Sequence, residues 1–187
     1  MMTELSLNVL DVAQNSIKAK ATLVEIAVRR NTAAHRMEIT IRDDGCGMTK
    51  EQVEQVVDPF YTTRTTRKVG LGVPFFKMSA EMTGGSFRID SVSGQGTVVA
   101  AEYCSDSIDM LPLGDMAATI ISLVSVNPDI DFTYTYEADG VSFMMDTREV
   151  RQVLEGLPVN SGEVIAFIRD FIQENQAEVD SCAVSGI

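Results

Sequence analysis

No apolar run in this chain approaches the length needed to cross a bilayer. The opening Met1-Met2-Thr3-Glu4 lacks the basic-then-apolar layout of a signal peptide. A cytoplasmic protein without a membrane partner is therefore expected. Cysteine is scarce: Cys46, Cys104 and Cys182 are odd in number, scattered, and form no CxxC pair. That excludes a disulfide frame or a zinc site and fits reduced thiols. Walker A and GxGxxG loops are both missing, which removes the common phosphate cradles. Lysine is missing from residues 104–187, which carry 15 acids against three arginines, whereas residues 1–103 carry 12 acids and 12 bases. The net charge of −12 thus lies wholly in the second part. It argues against a nucleic-acid partner and marks a module boundary near Cys104.

What is present suits a globular protein. At 187 residues and 45% hydrophobic, the chain can form one generous domain, or a domain with an appended module, around a real core. Ten methionines are expected to fill core gaps. Residues 5–19 have helical periodicity: Asn8, Asp11, Gln14, Asn15 and Lys18 share one face, with Leu5, Val9, Val12, Ala13 and Ser16 opposite. Thr22–Arg29 and Arg36–Arg42 alternate about the turn 31–35, predicting a hairpin. Thr49 with Gln52 is a capping-box pattern opening a short helix. Residues 58–68 read as a loop, 71–83 as a helix stopped by Gly84-Gly85, and Phe87–Tyr103 as a second hairpin turning at Ser93-Gly94-Gln95-Gly96. This order predicts an α+β two-layer sandwich, a mixed or antiparallel sheet with helices on one face. After residue 104, a helical stripe from Leu113 to Val124, a hairpin at Asp139-Gly140 and helices over 147–156 and 161–177 predict a small acidic α+β module. The last ten residues are expected to fray.

Three segments carry possible chemistry. Asp11, Asn15 and Lys18 fall at i, i+4 and i+7, a single helical stripe. An Asn oxygen with triphosphate oxygens makes a credible Mg²⁺ shell, Lys18 can neutralise phosphate, and Asp11 can orient or deprotonate water. Taken alone, the stripe reads rather as the exposed face of an amphipathic helix. Asp43-Asp44-Gly45-Cys46-Gly47-Met48 follows a strand, so its first carboxylate can accept from an exocyclic amine, which adenine offers. Its glycines permit close backbone approach, although a plain strand-to-helix turn has the same composition. Gly70-Leu71-Gly72 opens a helix, where free amides favour phosphate. Arg64, Arg67 and Lys68 crowd the loop just before it, as phosphate contacts or as solvated charge.

In this order the segments resemble the ATP-binding domain of the GHKL superfamily, which includes gyrase, heat-shock chaperone, histidine kinase and MutL ATPases. Asp11 and Asn15 resemble its N box, Asp43-x-Gly45-x-Gly47 its G1 box, and Gly70-Leu71-Gly72 its G2 box. Asp58-Pro59-Phe60-Tyr61-Thr62-Thr63-Arg64 is similar to the segment before the lid of sensor kinases, and Gly94-Gln95-Gly96-Thr97 to the closing Gly-x-Gly-Thr. Lys18 resembles the histidine-kinase branch; Asn15-Ser16 with the following Ala19-Lys20-Ala21-Thr22 is similar to MutL. The likeness covers about residues 5–103.

It implies the Bergerat fold with Mg-ATP as cofactor under a lid at 61–69. Asn15 would then hold the metal, Asp43 the adenine amine and Gly47 the close base contact, with Gly45 and Met48 also binding the cofactor. Thr97 would add a hydrogen bond near Asp43. Gly70 and Gly72 would carry phosphates, and Leu71, Phe60 before the lid, and Thr62, Thr63, Arg64, Arg67 and Lys68 would also contribute to nucleotide binding. The whole is similar to standalone members without a phosphoacceptor-histidine domain. Two departures shape the expected function. ATPase members use Glu where this chain has Asp11, which makes attack on water slow. His35 is the only histidine and falls in the predicted β-turn, which excludes autophosphorylation in cis. Expected, therefore, is a Mg-ATP-binding regulatory protein acting on a separate protein partner by phosphotransfer, or else an ATP-gated binding switch. A homodimer is compatible with either.

Overall fold

A computed structural model describes residues 3–58, 71–154 and 156–185. Helix α1 spans Leu5–Lys18, strands β1 and β2 span Leu23–Asn31 and Arg36–Asp43, and α2 spans Lys50–Val56. Then come α3 (Gly72–Met82), β3 (Ser86–Val92), β4 (Gly96–Cys104) and α4 (Met116–Val126). Strands β5 (Asp131–Ala138) and β6 (Val141–Asp146) precede α5 (Thr147–Val153) and α6 (Gly162–Ser185). The six strands form one mixed sheet in the order β3-β4-β2-β1-β5-β6. All neighbours are antiparallel except β1 with β5.

Alternation decides which face is covered. Val24, Ile26 and Val28 on β1, with Met37, Ile39 and Ile41 on β2, are at most 4% exposed and face the helices. The intervening residues form a polar face laced by ion pairs, Arg42–Glu25 at 3.6 Å and Arg29 to both Glu38 and Glu137 at 3.5 Å. Such exposed pairs contribute at most about 1 kcal/mol each. The α+β sandwich read from the sequence is therefore the observed architecture. The Thr49–Gln52 capping box also forms, both of its bonds being present at the start of α2.

The described residues of 104–187 do not build a sheet or core of their own. Strand β5 lies parallel to β1 from Leu23↔Asp131 to Arg30↔Ala138. Its Phe132, Tyr134 and Tyr136 are fully buried in the same cluster as Val24, Ile26 and Val28. Charge composition changes at Cys104; the packing is continuous, because β1 would otherwise present an unpaired edge over an apolar core. The chain following β4 also returns to α1, whose first amides donate to the carbonyls of Pro112 (3.0 Å) and Leu113 (2.8 Å). Asn8, which lines a groove between α3 and this segment with Phe75, Met110 and Leu111, is 1% exposed and so does not share the open face of Asp11 and Asn15 as expected.

Helix α6 runs to Ser185, past the expected end at 177. Its last turns are held by tertiary contacts. Val179 is 3% exposed, and the Tyr136 hydroxyl donates to Asp180 Oδ1 at 2.6 Å. Arg30 donates to both Tyr136 Oη and Asp180 at 2.9 Å. Burial, then the bond to Asp180, push the Tyr136 phenol up to about 12. A strand of the first half, a strand of the second and the last helix thus meet at one hydrogen-bonded junction.

Because β5 completes the core over β1, a chain ending at residue 103 is expected to lose cooperative unfolding, as followed by circular dichroism during urea titration. A sharp transition at the full-length midpoint would show the two parts to be independent.

Candidate functional site

Among the described residues, Asp43 and the helix carrying Asp11 and Asn15 meet where α1 packs on the end of β2. Asp43 is the last residue of β2 and lies opposite Thr97 in the β2–β4 ladder. Its carboxylate is gripped on both oxygens: Ser16 Oγ donates to Oδ2 at 2.6 Å, and the Gly45 amide donates to Oδ1 at 2.9 Å. Each carboxylate oxygen has two acceptor directions, so one remains on each. Ser16 sits on the apolar side of α1 and is only 4% exposed. A buried hydroxyl there requires a partner, and Asp43 is that partner.

The loop after Asp43 is pinned from several sides. Asp44 accepts from the Thr22 and Leu23 amides at 2.7 and 2.9 Å and from the Thr22 hydroxyl at 2.5 Å. Burial acts against its charge, yet these bonds outweigh it and hold the Asp44 carboxyl below its ordinary value. The Cys46 amide donates to the Ala19 carbonyl at 2.9 Å, closing the loop onto the end of α1. Gly47 adopts φ +61°, and a Cβ there would lie 2.0 Å from the Val92 carbonyl oxygen, so only glycine fits. The Met48 amide donates to Ser91 Oγ at 2.8 Å, and Ser91 in turn pairs with Thr97 Oγ1 at 2.9 Å. Thr97 therefore reaches the loop through Ser91, while the direct bond to Asp43 comes from Ser16.

The start of α3 approaches from the other side. A Cβ on Gly72 would lie 2.7 Å from the Asp11 Cβ, so this glycine lets the two helices touch at the proposed water-orienting residue. Leu71, just before it, is 46% exposed. Asn15 is half-buried one turn beyond Asp11, and Lys18 is exposed at the helix end. Lys18, Ala19, Lys20, Asp44, Gly45 and Cys46 border a shallow cleft of about 450 Å³. Phe60, Thr62, Thr63, Arg64, Arg67, Lys68 and Gly70 lie outside the described residues.

The donor set fits a nucleotide with its metal better than a free metal. Among the described residues no group of three or more His, Cys, Asp or Glu could hold an ion. A single amide oxygen from Asn15 is a partial shell for Mg²⁺, which takes its other ligands from phosphate and water. Sequence reasoning missed Ser16, Asp44 and Ser91 as supports. Both serines had a readable signal: Ser16 is a hydroxyl at an apolar helix position, and Ser91 shares the half-buried face of β3 with Phe87 and Ile89.

The chain belongs to the histidine kinase-, DNA gyrase B- and HSP90-like ATPase family, whose profile matches residues 2–105. It is 33% identical over 91 residues to sporulation kinase C of Bacillus subtilis (strain 168), a match covering 48% of this chain and 21% of that protein. It is 34% identical over 91 residues to the sensor protein kinase WalK of Staphylococcus haemolyticus (strain JCSC1435), covering 46% of this chain and 15% of that kinase. It therefore spans only a small part of these kinases. The fold is similar to the crystal structure of the N-terminal domain of a DNA repair protein. The TM-score is 0.53 at 15% identity, covering 78% of this chain and 53% of that one. No described helix is long and apolar enough to cross a membrane.

The Asp44 anchor has a pH signature. Its folded carboxyl lies below the ordinary 3.8, so its stabilisation is complete above that value and disappears as pH falls through the lowered one. Asp44→Ala is expected to lower stability by about 1 kcal/mol at neutral pH, with the gap to the parent narrowing in acid. Urea titrations across pH check this; a gap independent of pH would contradict it.

Proposed function

We propose that this chain binds Mg-ATP at the end of β2 and uses it to regulate a separate protein, transferring phosphate to it. The observation that supports this best is the Asp43 carboxylate. It is fixed by Ser16 and Gly45, flanked by a loop that tolerates no side chain at Gly47, and set beside the helix carrying Asp11 and Asn15. A carboxylate so held accepts the adenine amine through its remaining lone pairs, and a guanine oxygen offers it no donor.

In this reading Asn15 contributes one oxygen to Mg²⁺, and the bound ion supplies charge neutralisation on the phosphates. Leu71 and Gly72 place the first amides of α3 toward the phosphate end, where the helix dipole favours negative charge. Asp11 orients the incoming nucleophile across the Gly72 contact. Gly70 and the cations Arg64, Arg67 and Lys68 are assigned to the phosphates on their sequence position before α3 and on the family resemblance. The family's standing as ATPases supports the nucleotide; similarity to two protein kinases supports phosphotransfer.

A second reading, an ATP-gated binding switch with little catalysis, is favoured by two observations. Asp11 is a short carboxylate. His35 sits in the turn at the far end of β2, about 26 Å along the strand from Asp43, so it cannot serve as phosphoacceptor for the same site.

Asp43→Asn is expected to weaken ATP binding at least tenfold (about 1.5–3 kcal/mol). Asn15→Ala should instead abolish the gain in affinity that Mg²⁺ confers, and Mg²⁺ without nucleotide should not bind. Calorimetry of the two variants tests these roles; unchanged affinities in both would remove them. Labelled ATP with host-cell extract separates the readings: label on another protein marks transfer, and intact ATP with binding preserved marks the switch.

A further inference from the structure

The sheet ends differently at its two edges. At one, β3 carries the exposed charges Arg88 and Asp90, a device that discourages further strand pairing. At the other, β6 reads Val141-Ser142-Phe143-Met144-Met145-Asp146, with no charge before its last residue and no proline. It pairs with β5 without a bulge from Thr133↔Asp146 to Ala138↔Val141, and it is the last strand in the sheet among the described residues. An undefended edge of this kind offers main-chain donors and acceptors to an added strand.

Beside that edge lies an apolar groove of about 210 Å³ between β6, α5 and α6. Met144, Val153 and Phe167 line it and are 50, 76 and 53% exposed. Phe167 stacks on Phe171, ring centroids 6.2 Å apart, giving the groove an aromatic wall. Methionine and phenylalanine together make an adaptable apolar surface. Exposure of this much large apolar surface in one place marks an interaction site rather than scattered surface residues.

We propose that this edge and groove dock an extended, basic segment of a partner protein, which joins the sheet as an added strand with alternate apolar side chains in the groove. Charge selects the occupant. Glu149 lines the groove, and the exposed Glu163 and Asp170 lie one helical turn to either side of Phe167. The cations of this half are engaged or turned away. Arg148 pairs with Asp146 at 2.7 Å and Arg151 with Asp131 at 3.3 Å, while Arg169 lies about 200° around α6 from Phe167. A second copy of the chain would bring another 15 acids and three bases in its matching half, so like charge opposes self-pairing at this edge. The proposal does not rest on nucleotide binding.

The test uses the full chain and three fluorescein-labelled heptapeptides: lysine alternating with leucine and valine, the same with glutamate for lysine, and the lysine peptide with a central proline. The lysine peptide is expected to bind about tenfold or more tighter than either control, with affinity falling as salt rises. Amides of residues 141–146 should exchange with solvent more slowly in its presence. Met144→Lys and Phe167→Lys, both at exposed positions, should each weaken binding about tenfold while leaving the thermal midpoint within a few degrees of the parent. Failure of the lysine peptide to bind, equal binding of the glutamate peptide, or protection elsewhere in the chain would overturn the proposal. So would a concentration-dependent dimer in sedimentation that protects residues 141–146.

Discussion

The bond from Ser16 to Asp43 joins the two halves of the candidate site. It ties the buried side of α1 to the last residue of β2 at 2.6 Å. Because α1 is rigid, fixing Ser16 also fixes Asn15, Asp11 and Lys18 relative to the strand end. The Gly45 amide, the Asp44 anchor and the Cys46–Ala19 bond then lock the loop from the other side. A charged acceptor with two fixed donors and spare lone pairs keeps its geometry before any ligand arrives. Such preorganisation is what a recognition site requires.

Around this joint the fold is continuous. The acidic second half supplies β5 and β6, which extend the sheet that the first half begins, and Asp180 of α6 closes back on Arg30 and Tyr136. The family match stops at residue 105, near where charge composition changes, yet the hydrophobic core does not divide there. The second half thus completes the scaffold at one edge of β1 and presents a different chemistry, acidic and apolar, at the far edge of the sheet.

Much of this was legible in the chain because periodicity records which side of each element is buried. The alternation of Val24, Ile26 and Val28 and of Met37, Ile39 and Ile41 gave the hairpin and its inward face. Order and spacing of Asp11, Asn15, Asp43, Gly47 and Gly72 suggested a shared neighbourhood, and Gly72 does lie against Asp11 while Asp43 is bonded by Ser16, next to Asn15. What was hidden depended on contacts distant in sequence. No local pattern announces that β5 pairs with β1 across about a hundred residues. Asn8 looked like its polar neighbours, but it lies buried in the groove between α3 and the segment before α4. The end of α6 looked frayed because its support comes from Arg30 and Tyr136.

The central claim is that Asp43 receives a purine amine while Asn15 meets a phosphate-bound magnesium ion. A crystal structure of the full chain grown with magnesium and a non-hydrolysable ATP analogue tests it most directly. The account predicts the adenine amine within hydrogen-bonding distance of Asp43, with Ser16 still bound to the same carboxylate and the Asn15 oxygen on the metal. Nucleotide density elsewhere, or an adenine that leaves Asp43 untouched, would contradict it.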